Sequence, residues 1–271
     1  MGLDKWNRRF QEAFGHQPCA LVTGGSSGMG LEYARQLAEI GCNLLLVSNQ
    51  EEELGKASES LSGRFSVQVM THFQDLSNEL AADELLAFCK SENLQIDILI
   101  NNAGMFFFEE LTPENEAKAL TMMRLHVFTP MRLCVLFGDE MKQRGCGYIV
   151  NMSSMAANLP CPGITVYSAT KAYLKSFGKS LYFEMRPYGV GVTTVCPAAI
   201  ATPLYKLKPS LLRLGVKIGL IGTPQWLVRK ALKGMARKKR VVKPGFMNVY
   251  LPPLIAVLPK RLVSFLWQKL K

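Results

Sequence analysis

No aspartate or glutamate occurs between Pro203 and Lys271, although that stretch carries sixteen of the 32 lysines and arginines. Net charge is therefore −5 up to Thr202 and +16 beyond it, so the whole +11 balance resides in the last part of the chain. An asymmetry of that size implies an anionic partner. Cysteine pairs are missing too: the seven thiols stand at 19, 42, 89, 134, 146, 161 and 196 with no C-x-x-C. That spacing argues against a metal site or disulfide framework and predicts free, mostly buried thiols in a reducing, cytoplasmic compartment. Residues 1–17 lack an apolar core of secretory length, because Asp4, Lys5, Arg8, Arg9 and Glu12 interrupt them, and no signal peptide is read there. The apolar segment Phe246 to Leu258 is broken by Pro252 and Pro253 and falls short of the ~20 residues that span a bilayer. Aromatic or readout groups are absent from the basic stretch Arg229 to Lys243, which argues against nucleic acid.

What is present points to a dinucleotide. A short apolar run from Cys19 enters Thr23-Gly24-Gly25-Ser26-Ser27-Gly28-Met29-Gly30, and helix-forming residues follow from Leu31 to Ile40. A strand that turns through glycines into a helix sets backbone N–H groups and the positive helix end against a phosphate. Further along, Tyr167 and Lys171 are four residues apart, on one face of a helix, with Ser154 thirteen residues upstream. An ammonium favours a nearby phenolate, which adapts a tyrosine to proton transfer, whereas the same spacing also fits a solvated helix face. Beside a bound dinucleotide, proton transfer means carbonyl reduction or alcohol oxidation.

The apolar periodicity alternates between strand and helix. Strands are predicted at Ala20 to Thr23, Asn43 to Val47, Ser66 to Met70, Ile96 to Asn101, Tyr148 to Met152, Val190 to Cys196 and Arg240 to Lys243. Helices are predicted at 28–40, 51–61, 78–91, 113–143 and 167–186. At 271 residues and 48% hydrophobic content, this alternation implies one α/β domain. Its core is a doubly wound parallel sheet of the Rossmann kind in three layers, with ligands at the carboxyl ends of the strands. The predicted organisation is an arm at 1–17, a catalytic domain at 18–243 containing a substrate lid at 203–226, and a basic, apolar extension at 244–271.

Six segments in register resemble the short-chain dehydrogenase/reductase family: the Thr23 to Gly30 turn, Asp75-Leu76, Asn101-Asn102-Ala103-Gly104, Asn151 to Ser154, Tyr167 to Lys171, and Pro197 to Thr202. The resemblance covers most of the chain. It implies that Thr23, Gly24, Ser26, Ser27, Gly28, Met29 and Gly30 cradle the cofactor phosphates, and that Asp75 and Leu76 flank the adenine. Asn102, Ala103 and Gly104 would line the adenosine ribose, with Pro197, Ile200 and Thr202 at the nicotinamide. Ser154 would orient the carbonyl, Tyr167 would transfer the proton, and Lys171 would hold the nicotinamide ribose and depress the tyrosine pKa. Ser153 is the neighbouring alternative to Ser154.

After the second strand, Ser48 and Asn49 stand where an acid would bind a ribose 2′-hydroxyl and a base would accept a 2′-phosphate. The lack of a repelling carboxylate favours NADP, with NAD as the alternative. Two positions depart from the family pattern. The usual helical asparagine is replaced by His126, a packed core residue or else a relay with a pH dependence near neutrality. The usual P-G reads Pro197-Ala198, and alanine resists a positive φ.

Met105 to Phe108, Met155 to Val166 and Leu204 to Trp226 are apolar where the substrate is expected, which suggests a bulky hydrophobic ketone or alcohol, although aromatic residues such as Phe106 to Phe108 also fill cores. The tail resembles those of 3-oxoacyl, 3-ketosphinganine and steroid reductases. Its bases suit an anionic membrane surface, an acyl-CoA phosphate or plain solvation, and its apolar part either lies in a membrane interface or docks on the fold. Trp6, Phe10 and Phe14 could join either arrangement. A non-catalytic dinucleotide-binding regulator and a membrane-surface scaffold are the other function classes. The long helices at 113–143 and 167–186 lead, by the same resemblance, to the expectation of a homodimer or homotetramer.

Overall fold

The computed structural model describes residues 14–159, 161–198, 200, 221–245, 247–248, 250, 259, 261 and 268–269. Thr202, Trp6, Phe10, most of the expected lid and most of the C-terminal extension lie outside the described residues. Seven strands are Cys19–Thr23 (β1), Asn43–Ser48 (β2), Val69–Phe73 (β3), Ile98–Asn101 (β4), Gly147–Met152 (β5), Val190–Val195 (β6) and Val241–Val242 (β7). They form one sheet in the order β3-β2-β1-β4-β5-β6-β7, every pair parallel.

Alternation along each strand explains the three layers. Ala20, Val22, Leu44, Leu46, Ile98, Ile100 and Val150 face one side. There they meet Tyr33 and Leu37 of α1 (Gly28–Glu39), Leu54 and Leu61 of α2 (Glu51–Ser62) and, further along, Leu227 of Pro224–Ala236. Leu21, Leu45, Leu99, Ile149 and Val192 face the other side and meet Leu85 of α3 (Ala81–Ser91) and residues of three later helical segments. With both faces covered, the central strands are nearly continuous apolar runs, each buried leucine contributing ~1.5–3 kcal/mol.

Two of those later segments are the helices Thr129–Arg144 (α5) and Thr165–Met185 (α6), whereas Ala119 and Met122 of the preceding helix Glu116–Met123 (α4) pack beside Tyr167, and Pro224–Ala236 is α7. The helix predicted over 113–143 is interrupted: a π turn spans Arg124–Phe128, where the Thr129 N–H bonds to the carbonyl of Arg124. Pro130 lacks the N–H that would otherwise bond to the carbonyl of His126, which favours such a break. Among the described residues Pro113–Arg144 is the one helical run long and apolar enough to cross a bilayer, yet Leu133, Phe137 and Met141 pack it on the sheet.

Two elements differ from the sequence reading. β3 lies three residues later than predicted, because its pairing with β2 runs from Val69 opposite Leu44 to Phe73 opposite Ser48. Phe65 and Val67 pack on the core ahead of the strand and so imitate its pattern. Helix α7 was not predicted, and its first residues fall in the segment read as a lid. Its start is marked by Thr223, whose hydroxyl accepts from the Trp226 N–H, and by Pro224 in the first turn.

Candidate active site

The chain leaves β1 for β2 and β3 on one side and returns to β4 on the other, so a crevice opens where strand order reverses. A cleft of about 330 Å³ occupies that position. Its wall contains Gly24, Ser26, Ser27, Gly28, Met29, Ser48, Asn49, Asp75, Leu76, Asn102, Ala103, Gly104, His126, Ser154, Tyr167, Lys171, Pro197 and Ile200. Residues spread between Gly24 and Ile200 thus converge on one site. Thr23 and Gly30 are buried and do not line the cleft, and Thr202 lies outside the described residues.

The glycine turn is shaped by steric necessity. Gly24 has φ +65, and a Cβ on Gly30 would come within 1.9 Å of the Gly24 carbonyl oxygen. Thr23 Oγ1 accepts from the backbone N–H groups of Asn102 (2.9 Å) and Ala103 (3.0 Å), which ties the end of β1 to the loop after β4. Asn102 donates from Nδ2 to the Thr23 carbonyl at 3.0 Å. Its Oδ1 is buried in the cleft wall without a hydrogen-bond partner among the described residues, and Gln74 Oε1 is in the same condition. Unmet acceptors at the mouth of a glycine cradle and a helix N-terminus fit a nucleotide's hydroxyl and amino groups.

At the adenosine end, Ser48 Oγ is 2.9 Å from Ser26 Oγ and accepts from the Gln50 N–H. Asn49 and Gln50 are exposed beside it, so neutral groups surround this corner.

The other end holds the titratable groups. Tyr167 and Lys171 are both 6% exposed, and Lys171 Nζ lies 5.7 Å from the Tyr167 ring centroid. Lys171 donates from Nζ to the Met152 carbonyl at 3.0 Å, while Ser153 donates its hydroxyl to the Lys171 carbonyl at 2.7 Å. The end of β5 is thereby stapled to α6. Ser153 is committed to that staple. Ser154 caps a short 3₁₀ turn, accepting from the Ala156 N–H at 3.1 Å, and keeps its hydroxyl hydrogen available to the cleft. Burial pushes the Lys171 ammonium down to about 8.

His126 is completely buried. The Met105 N–H donates to its Nε2 at 3.0 Å, and its Nδ1 lies 3.1 Å from Thr170 Oγ1, whose hydroxyl donates to the Tyr167 carbonyl. An N–H donated to Nε2 requires a neutral ring with the proton on Nδ1. Burial first, and the Lys171 charge second, hold its pKa well below the ordinary 6.5, so a titration near neutrality is not expected of this ring. The π turn directs it there.

Apolar residues surround the tyrosine. Phe106 meets its ring edge-on at 5.0 Å, and Met105, Phe107, Ala119, Met122, Ala156, Ile164 and Val166 complete the cluster. Phe107 is buried in it, while Phe108 is exposed. Ala198 does not take a positive φ, so the exchange of glycine for alanine meets no left-handed backbone here. Gln50, Gln74, Leu125 and Met152 also line the wall, and the sequence motifs give none of them a role. Gln74 immediately precedes Asp75, and its neighbourhood was the available signal.

The family profile described as "short chain dehydrogenase" matches residues 18–210. The very-long-chain 3-oxoacyl-CoA reductase of Mus musculus is 34% identical over 199 residues, covering 71% of this chain and 62% of that protein. The chain therefore spans less than two thirds of that relative's length. Among solved structures, the bulky-bulky ketone specific alcohol dehydrogenase from Comamonas testosteroni is 29% identical with a TM-score of 0.73, covering 90% of this chain and 95% of that one. A short-chain dehydrogenase from Sphingobium yanoikuyae in complex with NADPH is 28% identical with a TM-score of 0.74, covering 90% and 97%.

Proposed function

From the premise that this chain belongs to the short-chain dehydrogenase family, oxidoreductases that use a nicotinamide dinucleotide, we propose that it is an NADP(H)-preferring reductase of bulky hydrophobic ketones, with a 3-oxoacyl thioester as the substrate class. The observation that carries this reading is the convergence of Ser154, Tyr167 and Lys171 at one end of the cleft whose other end is the glycine turn. When bound, the dinucleotide supplies the hydride for the carbonyl carbon.

Tyr167 gives its phenolic proton to the carbonyl oxygen, and Ser154 donates a hydrogen bond to the same oxygen as charge develops there. Lys171, held by the Met152 carbonyl, is the cation that favours the phenolate left behind and would hold the nicotinamide ribose. His126 acts as a positioning residue: in its neutral form it braces Met105 against Thr170 and, through the Tyr167 carbonyl, the first turn of α6.

The apolar cluster around Tyr167, the mouse relative's name and that of the Comamonas enzyme support the substrate class. The neutral Ser26, Ser48 and Asn49 corner supports NADP, because no carboxylate there repels a 2′-phosphate. A homodimer or homotetramer, and cytoplasmic placement with peripheral membrane contact through the basic tail, complete the proposal. Substituting Tyr167→Phe tests it: turnover of NADPH with a long-chain 3-oxoacyl thioester is expected to fall by roughly 10²–10⁴ while NADPH binding, read by fluorescence, persists. Retained turnover refutes the assignment.

A further inference from the structure

A second groove, of about 450 Å³, lies between α7 and the edge strand β7. Lys230, Lys233 and Arg237 stand four, seven and eleven residues after Trp226, the last at the C-cap of α7, so the four form one stripe, and Lys239 and Lys243 flank β7 on the opposite wall. A Cβ on Gly234 would lie 2.2 Å from Val242 Cγ2, and glycine there lets the helix approach the strand and close the groove floor. All five cations are exposed, no acid lines the groove, and none of the five enters an ion pair among the described residues.

The groove adjoins the cleft. Gly222 pairs with Ile200 of the cleft wall, and the Trp226 ring packs against Gly222. At the other corner Gly245 of the groove lies against Ala198 of the cleft. Along α7 the stripe from Trp226 to Arg237 extends ~16 Å away from that junction, at ~1.5 Å per residue. A ketone without an anionic carrier has no use for five cations that no carboxylate of the described residues pairs at that place. A thioester of coenzyme A carries a diphosphate and a ribose phosphate on a flexible arm, remote from the reacting carbonyl.

Resting on the reductase reading above, we propose that the groove of Lys230, Lys233, Arg237, Lys239 and Lys243 is the site for the phosphates of the substrate's coenzyme A, with the arm passing Trp226 into the cleft. Phosphates accept charge-assisted hydrogen bonds from such side chains, and the field of the groove draws the anion towards the cleft. The site thus selects the carrier, and the apolar cluster around Tyr167 selects the acyl chain.

The test is the triple variant Lys230→Gln, Lys233→Gln, Arg237→Gln in the full chain, its fold checked by thermal melting. KM is measured for a long-chain 3-oxoacyl-CoA and for the same acyl group on pantetheine, which lacks these phosphates. The variant is expected to raise KM for the CoA ester roughly tenfold or more, a change of about 1.4 kcal/mol, and to leave KM for the pantetheine ester and for NADPH in place. Equal effects on both esters, or none, overturn the proposal. Independently, calorimetry with 3′,5′-ADP on NADP-saturated protein is expected to detect binding that the variant loses. Absence of binding to the unaltered chain overturns the proposal. If neither ester turns over, the reductase reading fails and calorimetry alone decides the groove. A variant that loses only binding to phosphatidylserine vesicles, with both KM values unchanged, assigns the bases to a membrane surface and overturns the proposal.

Discussion

The backbone N–H of Met105 donates to Nε2 of His126 at 3.0 Å, which fixes the single ring proton on Nδ1, towards Thr170. A residue whose chemistry usually lies in changing charge is here held in one neutral form. The loop after β4 and the head of α6 are joined through it.

Burial of this neutral ring contributes to the acid sensitivity of the fold. In the unfolded chain the ring binds a proton below about 6.5, while in the folded chain burial keeps it neutral, so the unfolded state gains protons as pH falls. Stability is therefore expected to drop as pH falls below about 6.5, with this ring contributing up to ~1.4 kcal/mol per pH unit. His126→Asn removes that contribution, and urea denaturation from pH 7 to 5 should give a shallower slope for the variant. Equal slopes contradict the neutral ring, as does an inflection in kcat/KM near neutrality that the variant abolishes.

Lys171 gives activity and stability opposite dependences on alkaline pH. With its pKa pushed down to about 8 by burial, the folded enzyme loses the cation above that value, and kcat/KM for carbonyl reduction is expected to fall there. The unfolded lysine keeps its proton up to 10.5, so between about 8 and 10.5 the unfolded state binds more protons and this group's contribution to stability rises with pH. Initial rates and denaturation across that window check both signs, and Lys171→Met should remove the stability trend while lowering turnover by roughly 10²-fold or more.

Gly30→Ala puts a methyl group 1.9 Å from the Gly24 carbonyl oxygen, a contact relieved only by moving the turn. A stability loss of ~1–3 kcal/mol is expected together with loss of dinucleotide binding. Thermal melting measures the first, and a binding titration with NADPH the second. Unchanged NADPH affinity would remove the turn from the cofactor site.

Cofactor choice is expected to respond to Asn49→Asp. Asn49 is exposed in the adenosine corner, and a carboxylate there repels a 2′-phosphate while offering an acceptor to a 2′-hydroxyl. The ratio of kcat/KM for NADPH over NADH should fall roughly tenfold, equivalent to ~1.4 kcal/mol. An unchanged ratio places the 2′-position elsewhere.

The central strands were legible because burial on both faces demands continuous apolar residues, as in Leu44 to Val47 and Ile98 to Ile100. The site residues on them were legible because each follows such a strand. Edge strand β3, half exposed and ending on polar Thr71 and His72 before Phe73, had no such signature, and its register comes from pairing with β2. Helix α7 was obscured by the basic residues on its outer stripe, although Leu227, Val228, Ala231, Leu232 and Met235 give it a buried face.

The sequence by itself determined the doubly wound sheet and the glycine turn, because apolar period and glycine spacing encode them, and it offered Ser154, Tyr167 and Lys171 as a set through the family resemblance. Only the tertiary structure decided the protonation state of His126, the division of labour between Ser153 and Ser154, and the adjacency of the basic groove to the cleft. Those properties depend on which groups from distant segments meet in a buried place: Met105 on His126, the Lys171 carbonyl on Ser153, and Trp226 beside Gly222 and Ile200.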